Sequence, residues 1–197
     1  YGYSVSGAGD LNGDGYSDVV FSKLYYGVFV FNGSQNGLGD LPEWSITNSP
    51  LNGIGYSVSS AGDVNNDGFS DIIIGSFNGY SYFGQIVCAH VFCGSQIGLP
   101  IDHIPSWTAS LTFLEDGFGR TVASAGDVNG DGNDDVAVSG GDADGSSRVR
   151  VFYGSPSRTM YAPPDWTGSF GAFSLTGPGD LNGDGFGDLV ASNLSGS

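Results

Sequence analysis

Short apolar runs recur along the chain, each bounded by glycine, serine, asparagine or aspartate. Val19-Val20-Phe21, Ile72-Ile73-Ile74, Val136-Ala137-Val138 and Leu189-Val190-Ala191 are continuous rather than alternating. Runs of that kind read as strands covered on both faces. Few stretches carry the apolar spacing of an amphipathic helix, so the pattern predicts an all-β chain. In the first unit, strands are expected at residues 3–9, 18–22, 27–31 and 43–47. Four strands in about 50 residues make one β-propeller blade. The same plan returns with third strands at 86–92 and 148–153, and with fourth strands around Trp107 and Trp166.

Between the first and second strand of every unit lies one nine-residue stretch. It reads Asp10-Leu-Asn12-Gly-Asp14-Gly-Tyr16-Ser-Asp18 and returns as Asp63-Val-Asn65-Asn-Asp67-Gly-Phe69-Ser-Asp71. It returns again as Asp127-Val-Asn129-Gly-Asp131-Gly-Asn133-Asp-Asp135 and Asp180-Leu-Asn182-Gly-Asp184-Gly-Phe186-Gly-Asp188. Oxygen-bearing side chains fall at positions 1, 3, 5 and 9 each time. A hard cation such as Ca²⁺ takes about six to eight oxygens. The variable position 7, held by Tyr16, Phe69, Asn133 and Phe186, is assigned a backbone carbonyl ligand. Position 6 is always glycine, as a loop wound around one ion needs. The alternative is a plain hairpin turn, since Asn-Gly and Asp-Gly are common turn signals. Turn chemistry alone does not ask for Asp at position 9. Up to four Ca²⁺ ions are therefore expected. An EF-hand is excluded, because position 12 is the apolar Phe21, Ile74, Val138 or Ala191 rather than Glu.

The first Asp of the loops stands at 10, 63, 127 and 180, at intervals of 53, 64 and 53 residues. This repeat divides the chain into blades at 1–50, 51–114 and 115–168 and a half blade at 169–197 with strands one and two only. A bare sheet edge invites pairing with another chain. Either more chain follows Ser197, or further copies or another chain cover the half blade. The chain does not begin with Met and shows no leader, as expected of a mature product or a fragment.

Composition sharpens this picture. The net charge is −16, with 21 acidic residues, twelve of them Asp at loop positions 1, 5 and 9. Four divalent ions would halve that charge. Only five basic residues are present, which excludes a phosphate-binding surface and hence nucleic acid. No apolar run is long enough to span a membrane. Cys88 and Cys93 lie in one strand, roughly 16 Å apart and facing opposite sides, so they cannot bridge each other and read as buried thiols. Sequons at Asn32 and Asn193 are compatible with glycosylation and an extracellular or cell-surface location.

The stretch Gly55-Tyr56-Ser57-Val58, with Ala61-Gly62-Asp63, the loop, the isoleucine run and Gly75, resembles the FG-GAP repeat of integrin α-subunit propellers. The resemblance covers essentially the whole chain. It implies a calcium loop joining strands one and two of each blade. It also implies a ligand face on the opposite side, built by the loops after strands two and four. The departure is in size, since integrin heads close with roughly seven blades.

Three functions are open on these grounds. The first is a calcium-stabilised extracellular propeller segment for adhesion or protein binding. The second is a glycan-binding lectin, in which Tyr80, Tyr82 and Phe83 of the long blade-two loop stack on a sugar. A structural subunit of an extracellular filament is a variant of the first. An enzyme that cleaves polysaccharides is third, because His90, His103, Lys23 and Arg120 form no catalytic set.

Overall fold

A computed structural model describes residues 2–24, 26–47, 53–76, 88–110, 117–141, 146–157 and 163–192. These residues form fourteen strands and no helix. The first sheet pairs β1 (Ser4–Gly9), β2 (Asp18–Lys23), β3 (Gly27–Phe31) and β4 (Trp44–Thr47) in chain order. The second pairs β5 (Ile54–Gly62), β6 (Asp71–Ser76), β7 (Cys88–Phe92) and β8 (Trp107–Ser110) in the same way. The third pairs β9 (Thr121–Gly126), β10 (Asp135–Gly141), β11 (Ser147–Phe152) and β12 (Trp166–Thr167). β13 (Ser174–Gly179) and β14 (Asp188–Ser192) make a two-stranded sheet. All pairings are antiparallel. This is three and a half propeller blades.

The apolar runs alternate between neighbours, as the two-residue period of a strand requires. Ile72 and Ile74 join the core shared with the first sheet, while Ile73 joins the core shared with the third. Val136 and Val138 face back to the second sheet, and Ala137 faces forward. A run with no polar residue is needed because both faces are covered. Two of the per-blade tryptophans, Trp44 and Trp107, are buried between neighbouring sheets. Trp44 meets Phe92 edge-on, and Trp107 stands 6.1 Å from Phe152. Trp166 has no described third strand ahead of it and is 44% exposed.

The innermost strands β1, β5, β9 and β13 lie side by side around one cavity of about 500 Å³, lined largely by serine and threonine. Their hydroxyls tie neighbours together. Ser4 Oγ accepts the Val58 N–H at 3.2 Å, and Ser57 Oγ accepts the Val122 N–H at 3.2 Å. Every innermost strand ends in a register shift just before its loop. The residue there is Gly9, Gly62, Gly126 or Gly179, each at positive φ, the conformation a bulge of this kind asks of glycine.

Candidate metal loops

The four loops share one wiring. The position-1 carboxylate accepts the N–H groups of positions 5 and 6. In the first loop these are Asp14 N at 3.1 Å and Gly15 N at 2.8 Å from Asp10. Asp63, Asp127 and Asp180 repeat both bonds. The position-3 amide oxygen of Asn12, Asn65, Asn129 or Asn182 accepts the position-5 N–H at 2.8–3.1 Å. Asp14, Asp67, Asp131 and Asp184 then accept the N–H of position 7. Each loop is thus wound around its own oxygens, and a carboxylate keeps further lone pairs after one such bond.

Position 9 has a structural task that turn chemistry did not anticipate. Asp71 Oδ2 accepts Val64 N at 2.8 Å, and its Oδ1 accepts Gly94 N at 2.9 Å. Asp18 holds Leu11 N and Gly33 N, and Asp135 holds Val128 N and Gly154 N, in the same way. Each carboxylate therefore ties the start of its loop to the end of the third strand. This explains the Gly-Ser that closes every third strand. A Cβ on Gly33, Gly94 or Gly154 would stand 2.2–2.3 Å from the carbonyl oxygen of position 8 of its own loop.

Successive loops are also bonded to each other. Ser70 N donates to Asp10 O at 2.9 Å, Asp134 N to Asp63 O at 3.0 Å, and Gly187 N to Asp127 O at 2.7 Å. In each case position 8 of one loop donates to position 1 of the loop before. The position-7 side chain adds a second contact. The Phe69 ring covers Gly13, and the Phe186 ring covers Gly130, each glycine being position 4 of the preceding loop. Between the second and third loops that pair becomes Asn133 and Asn66, and Asn66 takes φ 55. Position 7 thus carries packing in addition to the carbonyl assigned to it.

An FG-GAP-like repeat model matches residues 10–74 and 107–191. The chain belongs to the FG-GAP repeat family. Integrin alpha-5 of Xenopus laevis is 32% identical over 217 aligned positions, covering 96% of this chain and 19% of that protein. Integrin alpha-7 of Mus musculus is 29% identical over 208, covering 98% of this chain and 17% of that protein. Integrin alpha pat-2 of Caenorhabditis elegans is 34% identical over 88, covering 39% and 7%. The FG-GAP chain spans under a fifth of the length of these curated relatives.

The electrostatics of the FG-GAP loops favour a cation. Burial is the main cause that pushes the Asp71 carboxyl up to about 7 and that of Asp135 up to about 6, with their loop partners' charges adding to it. Asp18 is raised for the same reason. No Lys, Arg or His stands within any of the four loops. Among the described residues, no three His, Cys, Asp or Glu side chains form a metal-holding group by themselves. Each loop does carry carboxylate, amide and carbonyl oxygens together, the kind of hard ligand that calcium takes.

The remaining candidates fall as follows. Tyr80, Tyr82, Phe83 and Asn193 lie outside the described residues. Asn32 is half-buried at the end of β3. Cys88 and Cys93 are free, as expected, but Cys93 is only half-buried where a buried thiol was expected. It lies beyond the end of β7, at the turn held by Asp71, and burial pushes its thiol up to about 12, which leaves it unreactive. His90 is buried, 3.0 Å from Thr108 Oγ1, and burial lowers it to about 4, so it stays neutral. Arg120 lies over the Phe173 ring and Lys23 over the Tyr26 ring, which gives each a packing role. The loop-to-loop bonds went unread in the sequence, because a backbone donor leaves position 8 free to vary among Ser17, Ser70, Asp134 and Gly187.

Proposed function

We propose that this chain is a calcium-stabilised propeller segment displayed outside the cell, where it serves adhesion or protein binding. One observation carries the metal half. Four loops of one backbone wiring hold clustered carboxylates, desolvated at position 9 of the first three, with no basic side chain among them. Ca²⁺ would supply the missing positive charge. Its ligands would be the side chains at positions 1, 3, 5 and 9 and the carbonyls of Tyr16, Phe69, Asn133 and Phe186. The adhesion half rests on the integrin alpha relatives, whose similarity runs along nearly the whole chain. Partner binding then belongs to the loops on the side away from the metal. The rigid sheets hold those loops in place.

Thermal melting with and without chelator tests the metal. A bound ion stabilises the folded chain by about 4 kcal/mol at a thousandfold excess over Kd. The melting temperature is expected to drop by many degrees in EDTA and to return on adding Ca²⁺ but not on adding Mg²⁺ at equal concentration. An unchanged melting curve in EDTA would sink the calcium reading and leave the adhesion reading to be tested by pull-down.

A further inference from the structure

The loop that joins the third and fourth strands of the second sheet, residues 94–106, lies on the metal side of the molecule and leans back over the first sheet. Ser95 N donates to the Leu11 carbonyl, inside the first metal loop, at 3.1 Å. Further out, Trp44 Nε1 donates to the Pro100 carbonyl at 2.9 Å, and the His103 ring stands 5.5 Å from that indole. The loop also braces itself. Gly98 N donates to Ser95 O, His103 N to Pro100 O, and Ile104 N to Asp102 Oδ1. Cys93 N donates to Ser106 Oγ, which ties the two ends of the loop together.

This braced loop displays three isoleucines within eight consecutive residues. Ile97 is 86% exposed, Ile101 83% and Ile104 56%. The second sheet is packed against a sheet on each side, so these side chains are bare with the loop's own neighbours in place. The fold does not ask for them. Leu99, between the first two, is the residue that packs, at 4% exposure. In the first sheet the same turn carries Asn36 in place of Ile97, and in the third it carries Ser157. The Asn36 turn closes with the same pair of bonds, Gly37 N to Ser34 O and Ser34 Oγ to Gly37 O, as the Ile97 turn does between Ser95 and Gly98. Three bare isoleucines on one rigid loop differ from the singly scattered apolar residues that any surface tolerates.

Charge indicates what covers them. Asp102 is exposed among the isoleucines, and Asp14 and Asp67 of the adjoining metal loops are exposed on the same side. Each metal loop carries three Asp at positions 1, 5 and 9, so one divalent ion still leaves it negative. Among the described residues, no Lys or Arg stands on this side of the first two sheets. Lys23, Arg120 and Arg148 lie at the opposite ends of their strands, and Arg150 is buried.

We propose that residues 97–104 dock a segment of a partner protein in which aliphatic side chains are flanked by Lys or Arg. The aliphatic groups cover the isoleucines, and the cations meet Asp102 and the carboxylates of the first two metal loops. The loop is held in shape beforehand, so binding orders the partner alone, which lowers its cost. This surface is on the side opposite the loops assigned to adhesion above, so both faces can be occupied at once.

Fluorescence anisotropy in calcium tests this with a labelled amphipathic peptide built of leucine and lysine only. Two control peptides accompany it, one with Glu in place of every Lys and one with Gln in place of every Leu. The variants are Ile97→Asn, which copies the first sheet, and Ile101→Asn. Both positions are exposed, so both variants are expected to fold, and circular dichroism checks it. The leucine–lysine peptide is expected to bind wild type more tightly than either control. Each variant is expected to weaken it about tenfold, the effect of one aliphatic side chain left uncovered. Binding that both variants leave unchanged overturns the proposal, since charge on the acidic loops alone would then hold the peptide. Equal binding of the Glu peptide also overturns it. So does an absence of peptide binding together with co-sedimentation on phosphatidylserine vesicles that either variant abolishes, which would assign the isoleucines to a membrane surface.

Discussion

The second sheet and the β13–β14 sheet carry nearly the same loop and meet opposite fates. In the second sheet, Asp71 is fully buried and holds two backbone N–H groups, one of them from the end of β7. In the last sheet, Asp188 is half-exposed and, among the described residues, holds Leu181 N alone, at 2.7 Å. Position 11 is Ile73 at 0% exposure in one and Val190 at 45% in the other. Nothing within the nine residues causes this contrast. The environment of each loop is made by the third strand of its own sheet and by the sheet that follows. The repeat is a unit of sequence, whereas the unit of stability is the junction, as in other repeat architectures.

Truncation at position 11 should show the contrast most strongly. Ile73→Ala opens a cavity in a closed core and is expected to cost about 3–4 kcal/mol. Val190→Ala, measured in dilute protein, is expected to cost under about 0.5 kcal/mol, the usual range for surface positions. Urea unfolding midpoints give both. Equal losses would mean that the last sheet is covered in solution.

Acidity should come next. In calcium-free protein the folded chain holds the Asp71 and Asp135 protons more tightly than the unfolded chain does. Folded stability is therefore expected to fall as pH rises from the ordinary carboxylate value of 3.8 through about 6 for Asp135 and about 7 for Asp71, and to level off above. Asp71→Asn should flatten the upper part of that slope, and saturating Ca²⁺ should remove it. Melting temperatures across a pH series in EDTA read this directly. A stability that rises over the same interval would show that these carboxylates are already neutralised by something else.

The smallest effect concerns the one internal junction without an aromatic–glycine pair. Asn66→Gly and Asn133→Phe together should recreate the Phe69–Gly13 contact between the second and third loops. A double-mutant cycle is expected to give a favourable coupling of about 0.5–1 kcal/mol. Strictly additive effects would mean that the aromatic ring does not settle on the glycine.

The order of strands was legible because their apolar runs are continuous and their turns are marked. The loops were legible because four copies of one oxygen spacing stand out from ordinary turns. Leu189-Val190-Ala191 was legible as a strand, β14, and Val190 on it is 45% exposed. Less accessible were contacts made by backbone atoms, which leave no constraint on residue type. The role of position 9 had a trace in the recurring Gly33, Gly94 and Gly154, whose lack of a side chain had no reason until the carbonyls beside them were located. The pairing of position 7 with position 4 also had a trace, since asparagine replaces both members at the same junction.

Each neighbouring pair of full sheets is pinned along two lines. At one end of the innermost strand a serine hydroxyl takes a neighbour's N–H, and at the other end one loop donates to the next. Six residues separate Ser4 from Asp10, so the two pins stand about 20 Å apart. Two plates joined along one line can swing like a door, whereas plates joined along two separated lines keep a fixed angle. The array therefore works as a small truss. Its outer loops can lengthen or change sequence without altering the angle between blades, so the frame keeps its shape.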